Sequence, residues 1–219
     1  MHRLLIICFV CLLLPFVAFA GTTVIFSTGF EQSEGYLVDR TLVGQQGWMV
    51  NGTGGEGVRF DISQQAYVGY AGPLSDSETS TTVWKPLNYG SVPSNSIIKF
   101  SVDMVVFDST SQALDRDEFR WSIYNTNDER LFSLIFDNVS LGIFTFLSDE
   151  TTYDTGFSFR NFVSYRLVIL MDFSRNVWNA SLNGLDLNIN SPISVNRQVP
   201  LTLSCVPSQP SDTPTGVPQ

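Results

Sequence analysis

Histidine and cysteine are almost missing from this sequence. It contains one histidine, His2, and three cysteines, Cys8, Cys11 and Cys205. Three of these four residues lie in an N-terminal stretch that we expect to be removed, so the remaining chain would have no imidazole. This excludes Ser-His-Asp and Cys-His catalysis and imidazole ligation of zinc, copper or iron. A single remaining thiol excludes an intramolecular disulfide, so we expect stability to come from a packed core.

Basic residues are scarce as well. The sequence has 12 Lys and Arg against 21 Asp and Glu, which gives a formal net charge of -9 at pH 7. Because a phosphate backbone would be repelled by such a chain, we expect no nucleic-acid partner.

Only the N-terminus carries a long hydrophobic run. A basic start, Met1–Arg3, is followed by the apolar stretch Leu4–Phe19 and by the cleavage-site pattern Ala18–Ala20. This arrangement is typical of a secretory signal peptide, residues 1–20, that is cleaved after its last alanine. Pro15 argues against a buried N-terminal helix. The sequence therefore predicts a secreted or cell-envelope protein without a transmembrane segment in the mature chain.

Helical periodicity is nearly absent from the rest of the chain. Apolar and polar residues alternate over short segments that Gly, Asn, Asp, Ser or Pro interrupt, which predicts an antiparallel β-sandwich formed by one domain, residues 21–203. The predicted strands are Thr23–Ser27, Gly57–Ile62, Gln65–Tyr70, Thr81–Leu87, Ile97–Phe107, Glu118–Tyr124, Leu131–Phe136, Leu141–Leu147, Tyr165–Phe173, Val177–Leu182, Leu185–Ile189 and Leu201–Ser204.

The alternation also predicts which side chains face the core. In each of three strands, one set of alternate residues is apolar and the opposite set is polar or mixed. The predicted inward residues are Ile98, Phe100, Val102, Met104, Val106, Phe119, Trp121, Ile123, Tyr165, Leu167, Ile169 and Met171. The side chains of Asp103, Arg120, Tyr124 and Arg166 are predicted to point outward.

The segment "RNVWNASLNG", residues 175–184, contains a tryptophan and an Asn-Gly pair. Asn183-Gly184 is the typical sequence of a type I′ turn, which predicts a meander of three strands around it. Trp178 shares its face with Ala180 and Leu182, so we expect a core side chain rather than a ligand platform.

The glycine-rich stretch "VGQQGWMVNGTGGEGVRF" begins at Val43. It lacks the following helix and the lysine of a phosphate-binding loop, so we expect a flexible loop. Trp48 is expected to be tucked beneath this loop, with an exposed sugar-stacking ring as the alternative.

Acidic residues offer two further hypotheses. Asp115 and Asp117 have the alternate spacing of a glycosidase carboxylate pair, but they lie in the polar run "DSTSQALDRDE", where a charged loop is expected. The sequence predicts no cofactor, although a structural calcium ion remains an alternative. Two alternative groups of acidic residues could bind the calcium ion. They are Asp108, Asp115 and Asp117, or Asp149, Glu150 and Asp154.

The end of the chain, "CVPSQPSDTPTGVPQ", differs in composition from the rest. Prolines at positions 207, 210, 214 and 218 oppose a regular ladder. Residues 204–219 are therefore predicted to be a disordered tail rich in Pro, Ser and Thr.

Three segments resemble exported bacterial proteins with a concanavalin A-like lectin/glucanase domain, close to the LamG-like jelly roll. They are "FSTGFEQSEGYLVDRTLVGQQGW", "FRWSIYNTNDERLFSLIFDN" and "SYRLVILMDFSRNVWNASLNG", and in order they span most of residues 24–203. The resemblance implies a jelly-roll sandwich, a fold whose members bind glycans, cleave them or mediate adhesion. Family members close the sandwich with a last strand that is missing here, so we expect a truncated or frame-shifted gene or a lost strand. An unpaired edge near Thr23–Ser27 would follow.

A secreted, non-catalytic module that binds carbohydrate or a cell surface is the function that these observations favour. A polysaccharide hydrolase or lyase of jelly-roll type, and an adhesive envelope protein without a specific ligand, remain open as alternatives. The candidate glycan contacts are Asp103, Arg120, Tyr124 and Arg166, whose side chains could hydrogen-bond to sugar hydroxyls or stack on sugar rings. The sequence makes no prediction of the oligomeric state.

Overall fold

The computed structural model describes residues 24–52, 55–69, 81–87, 97–107, 118–125, 127–194 and 205–206. In these residues the only helical element is one short 3₁₀ turn, Gln32–Glu34, and no helix is long and apolar enough to cross a bilayer. The strands are β1 (Met49–Asn51), β2 (Glu56–Phe60), β3 (Gln64–Val68), β4 (Thr82–Trp84), β5 (Ile97–Val105), β6 (Glu118–Tyr124), β7 (Arg130–Asp137), β8 (Gly142–Leu147), β9 (Thr152–Ser158), β10 (Ser164–Asp172), β11 (Val177–Leu182), β12 (Leu185–Pro192) and β13 (Cys205–Val206).

Two antiparallel sheets form the main body of the fold. One has the strand order β12-β11-β10-β5, and the other has the order β13-β6-β7-β8-β9. A single hydrophobic cluster joins residues of both sheets, which places their apolar faces against each other. The predicted all-β class and antiparallel β-sandwich are therefore confirmed. The fully buried side chains of this cluster include Ile123, Phe132, Leu134, Phe136, Ile143, Leu167, Ile169, Met171 and Trp178.

Strand β5 shows the predicted alternation of faces. Its even-numbered residues are buried or partly buried against the core, while all five odd-numbered residues from Ile97 to Val105 are exposed. Strand β7 differs from this pattern, because residues 131–136 are all buried. Its outward residues are covered as well, since Ser133 has 0% and Ile135 has 4% of its surface exposed.

The predicted meander and its turn are confirmed. Strands β10, β11 and β12 are consecutive neighbours in their sheet. Asn183 and Gly184 have φ angles of 49° and 82°, and two successive positive φ angles are what a type I′ turn requires. Trp178 is completely buried, so it is a core residue and not a ligand platform.

The N-terminal half forms a second, smaller apolar cluster. Strands β1 and β4 pair with each other, as do β2 and β3, and the cluster contains Tyr36, Leu42, Val58 and Val83. Trp48 packs against it and donates a hydrogen bond from Nε1 to the Tyr36 hydroxyl at 2.9 Å. The tucked position is confirmed, but the expectation of a loop is wrong at β1, which lies in this stretch. All of β2 lies there as well, as the predicted strand Gly57–Ile62 indicated.

Besides β1, three elements differ from the sequence-based expectations. Residues 24–27 form no strand; Phe26 instead packs edge-on against Trp48, with ring centroids 6.4 Å apart. Strand β9 has no counterpart in the prediction, because six of its seven residues are exposed and it therefore shows no apolar alternation.

Strand β13 lies within the predicted disordered tail, so the prediction is wrong at residues 205 and 206. These two residues precede the first proline of the tail and pair with Ile123 and Ser122 of β6. The proposed signal peptide 1–20, the predicted strand Leu201–Ser204 and tail residues 207–219 lie outside the described residues.

Candidate functional site

The four predicted glycan contacts lie on opposite faces of the sandwich. Asp103 and Arg166 point away from the core on the outer face of the sheet that contains β5 and β10. Arg120 and Tyr124 belong to β6, whose core-facing residues include Ile123, and they lie on the outer face of the other sheet. The structure therefore brings these residues together as two pairs and not as one site.

Asp103 and Arg166 neutralise each other. They are direct cross-strand partners, and Arg166 donates hydrogen bonds from Nε to Oδ1 at 2.7 Å and from Nη2 to Oδ2 at 2.5 Å. These bonds lower the pKa of Asp103 and raise the pKa of Arg166 relative to their usual values. Both side chains are more than half exposed. Because each satisfies the other, this pair has little capacity left for a sugar.

Arg120 is also paired with a carboxylate on its own strand. Its Nε and Nη2 atoms donate to Glu118 Oε2 at 3.0 and 2.7 Å. The guanidinium lies 5.5 Å from the centre of the Phe146 ring, and Arg130 lies over the same ring at 3.9 Å. Arg120 and Tyr124 are thus part of a half-buried layer of arginine and aromatic side chains on this face.

A groove of about 550 Å³ opens at one edge of the sandwich. It lies where the last strand of one sheet, β9, approaches the last strand of the other, β12. Both apolar and polar residues line the groove. Its lining residues are Thr145, Leu147, Asp149, Tyr153, Asp154, Thr155, Leu187, Asn188, Ser191 and Pro192.

The β8–β9 hairpin positions the acidic side of the groove. Asp149 Oδ1 accepts a hydrogen bond from the Thr151 N–H at 3.1 Å, and Asp154 Oδ1 accepts one from the Gly156 N–H at 2.8 Å. Backbone bonds therefore fix both carboxylates, each of which has further acceptor capacity for a ligand hydroxyl. Between them in sequence stands Tyr153, whose side chain is 53% exposed.

Strand β12 supplies the opposite side of the groove. Its pairing with β11 is irregular between Trp178 and Ser181, and Asn190 has a positive φ of 56°. This bulge redirects side chains at the strand edge. Asn188 donates to the Trp178 carbonyl at 3.2 Å and accepts a hydrogen bond from the Ser191 hydroxyl at 2.5 Å. The amide is thus held in one orientation beside the groove.

The charge of the groove is negative. Asp149 and Asp154 line it, and no Lys or Arg is among the described residues that do so. Within the described residues, no three His, Cys, Asp or Glu side chains converge as metal ligands would. Asp108, Asp115 and Asp117, the other calcium candidates, lie outside those residues. A structural calcium ion therefore remains a proposal, and so does the catalytic hypothesis for Asp115 and Asp117.

The groove was not predicted from the sequence. Of its polar lining residues, only Asp149 and Asp154 were considered, and they were considered as calcium ligands. One signal was available: in "SDETTYDTGF" a large aromatic residue, Tyr153, stands in a polar run without a hydrophobic neighbour at alternate positions. Asn188 and Ser191 gave no comparable signal, because they resemble ordinary turn residues.

The fold also occurs in a protein of different sequence. A solved sialidase structure matches 78% of this chain with a TM-score of 0.51 and 8% sequence identity. Part of that sialidase shares this fold. The match covers only 14% of the sialidase chain, so this protein spans a small fraction of its length. No protein-family model matches the sequence, and no curated protein matches it.

Two further solved structures match less well. One is a Trypanosoma rangeli sialidase in complex with 2,3-difluoro-KDN, with 10% identity over 53% of this chain and 18% of its own. The other is a tetrameric galectin from the ball sponge Cinachyrella sp., with 12% identity over 54% of this chain and 91% of its own. Both TM-scores are 0.40, which is too low to support a structural argument.

Proposed function

We propose that this chain is a non-catalytic carbohydrate-binding module, and that the groove between β9 and β12 is its glycan-binding site. The observation that carries the proposal is an exposed tyrosine, Tyr153, which stands in sequence between two anchored carboxylates at an open edge of the sandwich. A sugar presents a flat C–H face and a rim of hydroxyls, and the groove offers an aromatic ring and oriented acceptors.

The charge of the groove defines the class of glycan. Asp149 and Asp154 are the charged residues that line it within the described part of the chain, so it would repel a carboxylate or sulfate. We therefore assign it a neutral glycan, bound by hydrogen bonds from hydroxyls to the two aspartates and to Asn188. The sugar ring would pack against Tyr153.

A glycoside hydrolase is the second candidate, because the groove contains two carboxylates. Hydrolases of this kind place an acid and a second carboxylate about 5 to 10 Å apart on either side of the scissile bond. Catalysis would require Asp149 and Asp154 to take these two roles. Binding alone would require only that both accept hydrogen bonds.

A glycan panel separates these functions. The purified chain is tested for saturable binding to neutral oligosaccharides and, on the same panel, for release of reducing ends. Binding without release supports the module; release that Asp149→Asn or Asp154→Asn abolishes identifies a hydrolase. An adhesive protein without a specific ligand predicts no saturable binding. Tyr153→Ala should abolish binding, whereas Phe60→Ala, which removes another exposed ring that does not line the groove, should not.

The place of action is part of the same proposal. We propose that residues 1–20 direct export and are cleaved after Ala20, so that the module acts outside the cytoplasm or at the cell envelope. N-terminal sequencing of the protein recovered from medium or envelope should begin at Gly21. An unprocessed Met1 in the cytosolic fraction would contradict this part of the proposal without affecting the groove.

A further inference from the structure

Arg130 is a cation without a counter-ion in the described part of the chain. The ion pairs there join Arg120 to Glu118 and Arg166 to Asp103, and none includes Arg130. Its Nε atom is buried and has no hydrogen-bond partner. An unsatisfied buried N–H of a charged group is costly, so a native structure usually gives it a partner.

The surroundings of Arg130 hold its guanidinium in place. Its flat face lies 3.9 Å from the centre of the Phe146 ring, and Arg120 approaches the same ring at 5.5 Å. A cation–π contact of this kind leaves the terminal Nη N–H groups of a guanidinium free to bind a planar or tetrahedral oxyanion. The floor below consists of Ser122 and Ser133, whose hydroxyls bond to each other at 2.7 Å.

Charges around Arg130 favour a single anionic group. Burial lowers the pKa of Arg130, Arg120 adds to this effect, and Tyr124 and Glu150 act in the opposite direction. Glu118 is paired with Arg120, whereas Glu150 acts on Arg130 only through its charge and forms no ion pair with it within the described residues. The whole chain carries a net charge of -9, which opposes a dense polyanion but not one carboxylate or sulfate on an otherwise neutral ligand.

We propose that Arg130, with Arg120 and Phe146 beside it, binds one oxyanion, a carboxylate or a sulfate ester, of an acidic sugar. This site lies on the outer face of the sheet, whereas the groove lies at its edge; β8 contributes Phe146 to the site and Thr145 and Leu147 to the groove. The oxyanion is held by the N–H edge of the Arg130 guanidinium, and the sugar that carries it packs beside Phe146 and Tyr124. The site is independent of neutral-glycan binding in the groove.

The test uses galacturonate for the carboxylate, galactose 6-sulfate for the sulfate ester, and neutral galactose as comparator. Each is titrated into the ¹⁵N-labelled full chain while the Arg130 Nε–Hε cross-peak is followed. At least one anionic probe should bind saturably and shift this peak, and Arg130→Gln should weaken that binding about tenfold. Binding should also weaken as salt is added. The probe that binds identifies the source of the oxyanion.

Three further variants serve as controls for the anion-binding test. Arg166→Gln removes an arginine that already has a carboxylate partner, so it should leave binding unchanged. Arg130→Lys keeps the positive charge but loses the planar guanidinium that can donate two parallel hydrogen bonds, so its affinity should be intermediate. This variant provides the test if Arg130→Gln does not fold. Tyr153→Ala should not alter anion binding, which distinguishes this site from the groove. The proposal is overturned if neither anionic probe shifts the Nε–Hε peak, or if Arg130→Gln binds as tightly as the wild type.

Discussion

Trp178 of β11 and Phe132 of β7 stack face to face across the sandwich, with ring centroids 4.0 Å apart and planes inclined by 10°. Each ring comes from a different sheet, and both are completely buried. The contact therefore joins the two layers at the centre of the core. The same layers define the groove at their edge, so the geometry of the candidate site depends on this packing.

We predict that Trp178→Ala lowers the free energy of unfolding by about 3 to 5 kcal/mol, because it leaves a large cavity between the sheets. Trp178→Phe should cost less, since it retains a stacked ring and removes an indole N–H without a hydrogen-bond partner in the described residues. Urea unfolding followed by circular dichroism measures both values. Equal losses for the two variants would contradict the importance of the stacked ring.

Two glycines distinguish backbone strain from steric overlap. Gly184 has a φ of 82°, and a Cβ there would meet nothing within 4 Å, so Gly184→Ala should cost about 1 kcal/mol through strain alone. At Gly57 a Cβ would lie 2.6 Å from the Arg40 carbonyl oxygen and 2.9 Å from the Tyr67 hydroxyl. Gly57→Ala should therefore cost more, about 2 to 3 kcal/mol. Urea unfolding of both variants tests the order; the reverse order would contradict the packing around β2.

The Asp103–Arg166 pair predicts a pH dependence. Hydrogen bonds from Arg166 lower the pKa of Asp103, so the stability that the pair contributes is present above the unfolded-state pKa. It is lost as the pH falls through the folded-state pKa. A carboxyl-carbon NMR titration should show the pKa of Asp103 rising towards its usual value in Arg166→Gln. An unchanged pKa would show that the pair does not form in solution.

Period-two hydrophobicity was sufficient to predict the strands of the sandwich interior. Strands β6 and β11 begin and end where the alternation does, because each has one apolar face against the core. Strand β9 lies at a sheet edge with both faces largely exposed, so nothing in its sequence requires alternation. Local pattern therefore finds strands that bury a face and misses those that pair only through their backbone.

The candidate site was harder to predict than the fold. Outward orientation of Asp103 and Arg166 followed from alternation, but their mutual pairing depends on the register of two strands, since the residues are 63 positions apart. The groove likewise requires that β9 and β12, the edges of different sheets, lie next to each other. No local pattern specifies that approach, and the bulge that presents Asn188 and Ser191 has no distinctive sequence either.

The central claim is that the edge groove binds a neutral glycan, and mapping of backbone amide shifts on the ¹⁵N-labelled chain tests it most directly. The ligand is the neutral oligosaccharide of the panel that binds best. The account predicts saturable shifts concentrated at residues 145–155 and 187–192, and their loss in Tyr153→Ala. Shifts confined to the outer face around Asp103 and Arg166, or no saturable shift with any neutral oligosaccharide of the panel, would contradict it.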